Sequence, residues 1–224
     1  MSQPVISTEA PSEEELRAEA AQSSEKNRNF FIATLGLQLY VQVIVASTTD
    51  LQILLLNEGI RLPFVDVYVP LLGFYIAAPL FVLAMHFNLL QNLESHLYKL
   101  RGWANACPDN VPRHRIQPFI FDFALLERDG RLTGMVRFFT YLLVLWLTPF
   151  TLLMILWRMT DFQELWLTGW HYFVFLVDML IICRFCETLA GKQEESHGGG
   201  AIPPLCRVVW HFVGCPTHPL PVPR

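Results

Sequence analysis

The sequence predicts an all-α integral membrane protein, a four-helix bundle with a cytoplasmic amphipathic helical extension. Three observations predict it. Residues 30–49, 67–87 and 138–157 carry no Asp, Glu, Lys or Arg, and 169–188 is apolar apart from Asp178 and a charged inner end. At about 1.5 Å rise per residue, each run is long enough to cross a hydrocarbon core of roughly 30 Å. The composition agrees, with 53% hydrophobic and 16% charged residues and a mean hydropathy of +0.36. Finally, the Lys and Arg residues alternate along the chain between segments that hold many and segments that hold few.

Segment 1–28 is polar, and six of the chain's twenty acids lie in its first 25 residues. It is predicted to be a disordered acidic cytoplasmic tail, since it has little apolar surface to bury. A short solvated helix at 12–24, with Ser12 as N-cap and Glu15 closing a capping box, is the alternative. The transmembrane domain is placed at 29–189. Its first span is 30–49, in which Thr34, Gln38 and Gln42 recur every four residues on one face. Amides in hydrocarbon are costly unless bonded, so that face should meet other helices.

Segment 50–66 connects the first two spans, with Leu51–Leu56 too short to cross and better suited to the interface. The second span, 67–87, holds Pro70 near its start and Pro79 in its interior, where a kink is expected. His86 marks its inner end. The span runs on into NLLQNLESHLYKLR, where Leu89, Leu90, Leu93, Leu97 and Leu100 recur at helical spacing. A loop at 102–112 and an interfacial segment at 116–126 complete a central cytoplasmic loop, 88–137. The third span, 138–157, contains Thr148-Pro149 and predicts another kink, with the threonine hydroxyl able to satisfy freed backbone. The fourth, 169–188, leads to a flexible Gly/Pro-rich cytoplasmic tail, 190–224.

Counted by segment, Lys plus Arg run 3, 1, 7, 1 and 4 from the N-terminal tail to the C-terminal tail. That alternation places both termini and the central loop in the cytoplasm. Within the bundle, Asp178 lies near the middle of the fourth span, and an intramembrane acid is a functional-site hypothesis by default. With the spans antiparallel, Gln38, Gln42, Tyr75 and Thr148 are its expected partners in an intramembrane polar network. The plainer reading is a hydrogen-bonded knot that specifies packing; the sharper one is proton or ion coupling.

Cys183 and Cys186 form a C-x-x-C at a helix end, followed by Cys206, His211, Cys215 and His218. The wide second pair in a Pro-rich tail is unlike a zinc knuckle, so no metal site is assigned. Acylation of juxtamembrane thiols is a further option. His86, His96 and His114 could gather with Glu94 or Asp122, but their spacing matches no membrane-enzyme box. No nucleotide, hydrolase or metalloprotease motif occurs, so the chain reads as neither an enzyme nor a cofactor binder. It has no basic, aromatic-rich patch for nucleic acid.

Through TTDLQILL, VPLLGFYIAAPLFVLAMHFNLLQNLE and RHRIQPFIFD, the chain resembles the membrane-embedded N-terminal region of uncharacterised bacterial pentapeptide-repeat-containing proteins. The resemblance covers about 29–189 and implies an inner-membrane anchor without catalysis. It assigns no functional residues, and no A-[DN]-L-x-x array follows here, so a stand-alone or truncated anchor is expected. The reading is therefore a multi-pass inner-membrane anchor or protein-interaction module whose partners are the lipid bilayer and a cytoplasmic protein or a second copy. A small transporter or channel subunit using Asp178 and the Gln38/Gln42 face is the alternative.

Overall fold

The computed structural model describes residues 12–54, 59–61, 67–106, 133–160 and 162–196. The elements in order are α1 (Glu13–Ser47), α2 (Asp50–Leu54), β1 (Gly59–Arg61), β2 (Tyr68–Pro70), α3 (Leu71–Ala106), α4 (Thr133–Tyr141), a π-helical turn π1 (Leu142–Trp146), α5 (Leu147–Thr160) and α6 (Leu165–Ser196). Four helical stretches are long and apolar enough to cross a membrane: 14–47, 71–100, 138–160 and 165–188. The protein is an all-α, multi-pass membrane protein. Its outward surface suits lipid, because large apolar side chains such as Ile32, Val43, Phe81, Phe150, Phe173 and Leu180 are exposed on every span.

The chain divides into two compact units. One comprises residues up to 33 together with 91–140. Here α1 begins with the capping box: the Ser12 N–H donates to the Glu15 carboxylate at 2.9 Å, and the Glu15 N–H donates to Ser12 Oγ at 3.3 Å. The expected disordered tail is thus corrected from residue 13 onward, because capping and a buried face at Ala20, Ser24 and Asn27 hold the segment helical. The predicted amphipathic helix buries Leu93, Leu97, Leu100 and Trp103 and runs to Ala106, which replaces the expected start of a loop at Gly102. His96 is fully buried and its Nδ1 lies 3.0 Å from Ser23 Oγ. The interfacial reading of 116–126, with His114 and Asp122, lies outside the described residues, as does segment 1–11.

The other unit, 34–90 with 141 onward, holds the bundle. Its core joins Val41, Ile44 and Val45 of α1, Leu71, Tyr75, Ala78 and Val82 of α3, Leu152, Ile155 and Met159 of α5, and Leu167 and Val174 of α6. Side-chain bonds fix the helix directions. Gln38 and Gln42 meet Thr148 and Thr151 in that order, so α1 runs parallel to α5. Tyr75 and His86 meet His171 and Asp178 in that order, so α3 runs parallel to α6. A short turn reverses α5 into α6, with Gln163 in the left-handed region at φ 54°. First and third spans therefore point one way, second and fourth the other.

The second span starts at Leu71 and not at Val67, because Tyr68–Pro70 pair antiparallel with Gly59–Arg61. The β-branched Val69 before Pro70 favours an extended backbone, and the proline then opens the helix. Of the interfacial stretch 51–56, residues to Leu54 form α2. The fourth helix continues to Ser196, so the tail assigned to 190–224 starts as helix; its remainder lies outside the described residues.

Candidate functional site

Asp178 and His86 are both fully buried, and His86 Nδ1 stands 2.6 Å from Asp178 Oδ1. The other ring nitrogen, Nε2, donates to the Val144 carbonyl at 3.0 Å. That carbonyl belongs to π1, where the backbone changes from the wide to the ordinary helical register just before Pro149. Pro149 has no N–H to close on this turn, so carbonyls here are left for other donors, and His86 supplies one. Asp178 Oδ2 is buried with no hydrogen-bond partner among the described residues.

The expected network is only partly assembled. Gln38 Nε2 donates to Thr148 Oγ1 at 2.5 Å, and Gln42 Nε2 donates to Thr151 Oγ1 at 2.8 Å. Thr151 Oγ1 in turn donates a hydrogen bond to the Leu147 carbonyl at 2.9 Å. None of Gln38, Gln42, Tyr75 and Thr148 bonds to Asp178, which corrects the network assigned from sequence. The reason is register. With α3 starting at Leu71 and α6 at Leu165, four residues later and four earlier than expected, the residue level with Asp178 is His86, and Tyr75 lies 11 residues back, about 16 Å along the helix. Tyr75 contributes its backbone carbonyl, 3.0 Å from His171 Nε2.

Sequence reasoning missed His86 as a core residue, His171, Thr151 and Arg158. His171 and Asp178 are seven residues apart, two turns on one face, which was a usable signal. His171 Nδ1 lies 2.7 Å from the Leu167 carbonyl, so both its nitrogens face carbonyl oxygens; a neutral ring can donate to one of them. At the far end of α5, Arg158 donates to the Thr48 carbonyl and pairs with Asp50 at 2.6 Å.

Cys183 and Cys186 are not disulfide-bonded and are buried in α6, which argues against their being presented for acylation. The later cysteines and histidines lie outside the described residues. Among the described residues no group of three His, Cys, Asp or Glu side chains converges as a metal ion requires. No family model, curated protein or solved structure matches the chain.

Proposed function

We propose that this chain is a non-catalytic membrane scaffold of the cell inner membrane, an anchor or interaction module with both termini and the 88–137 segment in the cytoplasm. A cytoplasmic protein or a second copy of the chain is its partner there. The observation that carries the reading is how the buried polar groups are spent. Gln38, Gln42, His86 and His171 each bond from one helix to another, which is how polar side chains fasten helices in lipid. The Lys/Arg alternation supports the orientation, and the resemblance to membrane-anchoring regions points the same way.

The alternative, a small transporter or channel subunit, draws on Asp178, whose Oδ2 is buried without a partner among the described residues. A flux assay on the purified protein in liposomes separates the two. The scaffold reading expects no proton or ion flux above empty liposomes. Flux that is abolished by Asp178→Asn overturns it.

A further inference from the structure

The ring of His86 is held on both sides, which restricts its protons. A carbonyl oxygen cannot donate, so every state that keeps the 3.0 Å contact to Val144 carries a proton on Nε2. The 2.6 Å contact between Nδ1 and Asp178 Oδ1 then needs one further proton between them. With that proton on oxygen, a neutral acid faces a neutral imidazole; with it on nitrogen, a carboxylate faces an imidazolium. Both forms are neutral overall. The first leaves only an uncharged Oδ2 without a partner among the described residues, which costs far less than a carboxylate oxygen so placed.

Removing the shared proton and adding another have unlike consequences. Transfer of the shared proton to a water molecule gives hydronium and leaves the Nδ1 lone pair against a carboxylate lone pair. Two acceptors cannot remain at 2.6 Å. An added proton is accommodated: Nδ1–H donates to Oδ1 while the acid hydrogen sits on the free Oδ2. We propose that His86 and Asp178 form a single proton-binding site whose Nδ1···Oδ1 contact breaks when the shared proton leaves and survives when another is added.

The surroundings leave the response to this pair. Tyr75 and His171 lie toward the opposite end of α3 and α6, and Cys183 and Cys186 follow Asp178 on α6. On α1, just past its end, and on α5 the buried polar groups of this unit are Thr34, Gln38, Thr48, Thr148 and Thr151, which do not titrate; Tyr40 of α1 and Tyr141 of α4 are half-buried phenols. Arg158 stands at the end of α5, and Arg184, six residues after Asp178 on α6, has its side chain 85% exposed. The inference does not rest on the scaffold reading; a transporter could carry the same site.

Nitrogen-15 NMR of the full chain in lipid bilayers, labelled at histidine, reads the site directly. His86 is assigned by difference with His86→Gln. As pH rises, the Nδ1 signal should move to the position of a free, unprotonated ring nitrogen while Nε2 stays protonated. In Asp178→Asn the side-chain amide donates to Nδ1, so the alkaline movement should vanish while the His96 and His171 signals hold their places. A second readout needs no variant: the infrared band of a protonated carboxyl in the wild-type protein should disappear over the same pH interval. A stationary Nδ1 signal, movement that persists in Asp178→Asn, or a carboxyl band that is absent or disappears elsewhere would each overturn the proposal.

Discussion

Gln38 spends half of its amide. Its Nε2 donates to Thr148, while Oε1 is buried with no partner among the described residues. Interhelical bonds in membranes average about 0.6 kcal/mol, and removing Gln38 also removes an unsatisfied acceptor. Gln38→Leu should therefore lower the unfolding free energy in detergent by less than about 1 kcal/mol, with a Gln38/Thr148 coupling near 0.6 kcal/mol in a double-mutant cycle. Arg158 divides its role differently. Asp50 is 78% exposed, so that ion pair contributes little, whereas the bond to the Thr48 carbonyl ties the end of α1 to α5. Asp50→Asn should cost under about 0.5 kcal/mol and Arg158→Met about 1–2 kcal/mol in the same assay. Equal losses would place the energy in the ion pair.

At the scale of elements, the four spans were legible because uncharged runs of this length have few uses outside a bilayer. Their ends were less so. The second span begins four residues later than hydropathy predicts, because Val67–Pro70 is apolar enough for a helix and the pairing of Tyr68–Pro70 with Gly59–Arg61 has no hydropathy signal. Together with the start of α6 at Leu165, four residues before the expected 169, that shift moves the level of Asp178 from Tyr75 towards His86. The π turn lies just before Thr148-Pro149, where a kink is predicted, and the Thr148 hydroxyl accepts from Gln38. If Pro149 sets that turn, Pro149→Ala supplies an amide that competes with His86 for nearby carbonyls. The His86 Nε2 resonance should then move toward a weaker hydrogen bond, and an unmoved signal would assign the turn to another cause. Ser12→Ala should speed amide exchange in the first turn of α1 only, since a cap worth about 1 kcal/mol acts locally on a helix this long.

For the whole molecule, two parallel helix pairs joined by a reversing turn leave one consistent arrangement of crossings: up, down, up, down. Which side is which depends on the basic residues. Reporter fusions after Gly59 and Thr160 should read on the side away from the cytoplasm, and fusions after Asn110 and Gly198 on the cytoplasmic side. A cytoplasmic reading at Gly59 would leave the 3, 1, 7, 1, 4 alternation without a cause. The bundle followed from composition and spacing. The pairing of individual polar groups did not, because it depends on rotations of a few tens of degrees that a hydrophobic pattern does not encode.

The two halves of the buried pair are 92 residues apart in the chain, with the imidazole first. At synthesis rates of about 5–20 residues per second, α3 waits roughly 5–20 s before its partner is made. A histidine can wait in lipid as a neutral ring. An aspartate in that position would wait without its partner, at a cost of about 2.5–3.5 kcal/mol at the centre of a helix. Asp178 instead arrives with the last helix, when its acceptor is already in place. Presented alone to the insertion machinery, α6 should enter the membrane better as Asp178→Asn, and in the full chain that advantage should disappear.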